Sequence, residues 1–82
     1  MSTPGHDLHA IFPADGEALH ALKLENEHFR VLAEQEHQLQ KEIDRIEAGL
    51  DPAADDRVER LKKNRLAVLD EIASLIATRK AA

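Results

Sequence analysis

Apolar side chains in the first half of the chain alternate three and four residues apart: Leu22, Phe29, Leu32, Leu39, Ile43, Ile46 and Leu50, with Glu25 and Glu36 on the same stripe. A second run follows: Val58, Leu61, Arg65, Val68, Ile72, Leu75 and Arg79. Such alternation averages ~3.5 residues per turn, the seam of helices that wrap around one another. The fold class predicted is all-α: an antiparallel two-helix hairpin, coiled-coil-like, that assembles into a four-helix or larger bundle.

The punctuation between the runs agrees. Residues 1–12 hold Pro4 and Gly5 and show no period, so they are expected to be a disordered lead-in. The hairpin is expected over 13–82. Pro13 and Asp15 mark the entry to helix 1 (15–48), with Asp15 suited to cap its start. Gly49 supplies the left-handed residue that ends it. The turn occupies 49–51, and Asp51-Pro52 opens helix 2 (52–80). A connection this short sets the helices side by side in opposite directions. Ile46 then meets Val58, Ile43 meets Leu61, Leu32 meets Ile72 and Phe29 meets Leu75. Glu25 falls opposite Arg79, and Glu36 one step from Arg65. Such polar breaks lower stability and fix register.

A further apolar stripe is not used by this seam: Leu66, Leu69, Ala73 and Ile76 on helix 2, with Leu19, Leu24 and Val31 on a flank of helix 1. All seven lie away from the turn and form the candidate oligomer interface. A homodimer is the favoured partner state.

Size and composition add to this. Eighty-two residues without cysteine exclude disulfides and thiolate metal sites, so partners are the expected route to stability. The aromatics are Phe12 and Phe29 alone, too few to stack bases or line a pocket. No apolar run spans a membrane and no secretory leader is evident, so a cytoplasmic location is expected. The net charge of −5 is uneven: residues 15–50 carry nine acids and four bases, whereas 51–80 carry six acids and seven bases. Within the second helix Arg57, Lys62 and Lys63 form the candidate face for an anionic partner.

Chemistry finds little foothold. His20, His28 and His37 are eight and nine residues apart and cannot converge on one ion. Glu34, Glu42 and Glu47 have no concave site to shift a pKa. Ser74 and Thr78 have only His28 within conceivable reach and no oxyanion hole. Gly5, Gly16 and Gly49 are isolated, so no phosphate loop exists. The chain is expected to be no enzyme and to hold no cofactor or metal.

Three pieces in order carry a resemblance: Ile11-Phe12-Pro13; Leu22-Lys23-Leu24-Glu25-Asn26-Glu27-His28-Phe29; and Leu61 through Ile72, LKKNRLAVLDEI. They resemble the YdcH family of small bacterial proteins of uncharacterised function, over about residues 11–76. The resemblance implies helical hairpins or coiled coils, a bacterial source and no known enzymatic activity. It supplies no catalytic residues. Glu36 departs from the histidine that the resemblance implies at mid-helix, with His37 beside it.

The function expected is protein–protein interaction and self-association. The alternative is a nucleic-acid-binding accessory role for the face Arg57–Lys63, which three dispersed charges on an acidic chain support poorly.

Overall fold

A computed structural model describes residues 6–50 and 55–81. These residues form four α-helices and a short 3-10 turn, and no strand occurs among them. Helix α1 is His6–Ile11, the 3-10 turn Pro13–Asp15, α2 Gly16–Glu25, α3 Glu27–Glu47 and α4 Asp55–Ala81. The long axis is 44 Å, close to the ~40 Å that the 27 residues of α4 span at ~1.5 Å each.

Two expectations change. Residues 6–11, read as part of a lead-in, are helical, and Leu8 is fully buried. Leu8 and Phe12 stand four apart and so share one face of a single turn, which packs onto the main core. Pro13 closes α1 because the residue before a proline avoids helical backbone, and Phe12 sits at φ −121°, ψ 67°.

The second change is at Asn26, where helix 1 is not continuous. Asn26 is extended (φ −125°, ψ 107°), and its Oδ1 accepts from the Phe29 N–H at 3.0 Å. An asparagine side chain competes with helical backbone for such donors, which suits it to cap α3 rather than continue α2. Asp15, by contrast, makes no side-chain cap for α2.

The end of α3 follows the sequence. Gly49 has φ 77°. Its N–H donates to the Ile46 carbonyl (3.0 Å), and Leu50 N–H donates to the Arg45 carbonyl (2.9 Å). This is the double hydrogen bond of a Schellman cap, which needs the left-handed residue that glycine adopts without strain. The expected start of helix 2 at Asp51-Pro52 lies outside the described residues.

Helices α3 and α4 pack along one another in opposite directions, as the pairs Glu42–Arg57, Glu36–Arg65 and His28–Glu71 require. Helix α2 packs on both of them, and α1 packs on α2. One core results: Leu8, Leu19, Leu22, Phe29, Leu32, Ala33, Ile72 and Ile76, with Phe12, Val68, Leu69 and Leu75 against it. It lies at the end remote from the turn. Ile43 is buried separately, nearer the turn.

Candidate interaction surfaces

The bend at Asn26 redistributes the seven candidate interface residues. Leu19 and Ile76 are buried inside the chain, and Leu69 is half-buried against the same core. Their apolar surface is covered by this chain's own α1 and α2. Leu24 (68 % exposed), Leu66 (61 %), Val31 (49 %) and Ala73 remain at the surface.

These four do not form one stripe. Leu66 borders an open groove with Gln40, Ile43, Glu47, Lys62 and Arg65. Val31 stands one and two turns before Gln35 and Gln38, which line another groove with Leu39, Asn64 and Val68. Leu24 precedes Val31 by seven residues. The helix break at Asn26 lies between these two, so their seven-residue spacing no longer places them on one face.

The acids of the first half meet bases of α4. Arg65 Nε donates to Oε1 of Glu36 at 3.2 Å, and Glu36 is completely buried. Arg79 Nε lies 3.2 Å from Glu25, and Lys80 Nζ lies 2.8 Å from Asp15. Lys62 pairs with Glu47 at 3.4 Å, and Arg57 pairs with Glu42. His28 Nε2 lies 3.4 Å from Glu71, a further contact between the two arms. Most of these pairs are exposed, and exposed pairs contribute ~0–1 kcal/mol each.

Two of the three residues of the candidate anionic-partner face, Arg57 and Lys62, pair with a carboxylate of α3 while remaining exposed. Lys63 is exposed, and Arg65 belongs to the seam.

Among the described residues no three His, Asp or Glu side chains are placed to hold a metal ion. Ser74 and Thr78 are exposed, and His28 turns to Glu71. No helix of the described residues is long and apolar enough to cross a membrane. The residues that sequence reasoning missed are Leu8 and Phe12. Their only signal is one i,i+4 apolar pair ahead of Pro13, too short to register as a period.

A family model described as a protein of unknown function (DUF465) matches residues 29–76. The match begins three residues after Asn26 and ends at Ile76, so it covers nearly all of α3 and most of α4 and leaves out α1 and α2. No curated protein and no solved structure matches the chain.

Proposed function

The chain belongs to the DUF465 family, the YdcH family of small uncharacterised proteins, and on that premise we propose that it acts without catalysis, through protein–protein contact and self-association. The α3–α4 pair serves as a coiled-coil-like hairpin, and copies associate into a bundle, with a dimer as the simplest form.

The observation that carries this reading is the exposure of Leu24, Val31 and Leu66 after the core has formed. Large apolar side chains left on helix flanks favour contact with another apolar surface. The groove that Leu66 borders is an open channel between α3 and α4, a shape that accepts a helix edge rather than a small molecule.

The test is Leu66→Glu. Leu66 touches little of its own chain, so its loss leaves helix content intact while the mass measured by light scattering at micromolar concentration falls toward that of one chain. An unchanged mass would remove this surface from the proposal. Leu69→Glu is the poorer probe, because Leu69 also packs on the core.

The nucleic-acid alternative receives less support, since Arg57 and Lys62 are paired within the chain. Binding to labelled RNA at ~50 mM salt, where phosphate contacts are strongest, discriminates the two readings.

A further inference from the structure

The seam and the structure disagree at one residue, and the disagreement is informative. The 3-4 alternation runs from Leu22 through Glu25 to Phe29 without a fault, as if α2 and α3 were one helix. The structure bends there instead, at Asn26 alone.

The bend is small in hydrogen-bond terms. Asn26 N–H still donates to the Leu22 carbonyl (2.9 Å), and Arg30 N–H still donates to the Asn26 carbonyl (3.2 Å). Both are ordinary helical bonds. A straight helix would carry three backbone bonds across the break, from the N–H groups of Glu27, His28 and Phe29 to the carbonyls of Lys23, Leu24 and Glu25, and side chains take over one donor and one acceptor among these six groups. Phe29 N–H is taken by Asn26 Oδ1 at 3.0 Å, and the Lys23 carbonyl is taken by the Arg30 guanidinium at 2.9 Å. A change in the backbone of one residue therefore converts the bent chain into a straight helix, with backbone bonds in place of these two braces.

Straightening has a geometric consequence. With Glu25 held opposite Arg79, a straight α2 runs past the end of α4 at Ala81. Leu19 and the α1 segment with Leu8 then have none of their own α4 beside them. The face they covered, at Leu69, Ile72 and Ile76, is uncovered at the same moment. Both halves of one self-complementary contact are thus exposed in each chain.

We propose that Asn26 is a hinge through which α1 and the start of α2 leave their own core and cover the same face of a second copy of this chain. The occupant is a second copy because its overhang reproduces the packing already seen, with Leu8 and Leu19 on Ile72 and Ile76 and Asp15 against Lys80. Exchange of an identical element across a short hinge is a low-cost route to a dimer. The proposal rests on the self-association put forward above and specifies its mechanism.

Zero-length carbodiimide coupling tests it on the intact protein, because Asp15 and Lys80 are in contact at 2.8 Å. Isotope-labelled and unlabelled chains are mixed, coupled and digested, and the mass is followed by sedimentation. In Asn26→Ala the cap is lost and the straight helix gains, so the dimer constant should rise by about fivefold for each hinge. The Asp15–Lys80 link should become mixed-isotope, and helix content should rise. Asn26→Asp keeps the cap and should match the parent. If Asn26→Ala fails to fold, Arg30→Ala removes the second brace without touching the hinge and should shift the equilibrium the same way.

A dimer whose Asp15–Lys80 links stay within single chains would overturn the exchange while leaving self-association standing. A single-chain mass for both variants would overturn it as well, as would a released N-terminal segment on a monomer, since the uncovered face would then take some other occupant. The Leu66→Glu measurement judges the flank surface separately.

Discussion

Glu36 is the residue whose chemistry runs most against its surroundings. A carboxylate on a coiled-coil seam is removed from water, and Arg65, about a quarter exposed, reaches it from α4. Such a pair adds little net stability, because desolvation offsets the attraction, yet removal of one partner leaves a buried charge. Arg65→Met should therefore lower stability by about 3 kcal/mol in urea unfolding, and the double change Glu36→Leu with Arg65→Met should recover most of that loss. Equal losses in the single and double variants would show that the two side chains do not act as a pair. The sequence placed both on the seam, within one step of each other. It could not tell how deeply Glu36 would be covered, because burial there depends on what packs over the hairpin.

Among the elements, the end of α3 and its start behave differently. At the end, Gly49 adopts φ 77°, and an added Cβ would meet nothing within 4 Å, so any penalty is backbone strain alone. Gly49→Ala should destabilise by about 1–2 kcal/mol, read as a lower urea midpoint, and Gly49→Asn by less. This cap was legible because a glycine after a periodic run has a local cause and a local effect. The start was not. Asn26 lies inside a faultless seam, and local pattern argues for continuity there. The bend takes over where Asn26 can cap and where Leu8, Leu19 and Leu22 gain a core by folding back. That gain is non-local, so periodicity does not see it.

For the whole molecule, the decisive contact is between α1 and the end of the hairpin remote from the turn. Leu8, fully buried in the common core, links α1 to that end. Leu8→Ala should lower stability by roughly 3 kcal/mol and the thermal midpoint by about 12 °C or more, while Ile11→Ala, at an exposed position of the same helix, should change it far less. An unchanged midpoint for Leu8→Ala would show that α1 is not part of the folded unit. The same coverage reshapes the interaction surfaces, since Leu19 and Ile76 turn inward while Leu24, Val31 and Leu66 stay out. By itself the sequence determined the helical class, the seam, the Glu25–Arg79 and Glu36–Arg65 pairings and the glycine cap. Each of these follows from spacing along one helix or from the reach of one short connection. Only the tertiary structure decided that part of the spare apolar stripe is covered from within, because that coverage comes from α1 and α2 folding back at Asn26, a long-range contact that spacing along one helix does not encode.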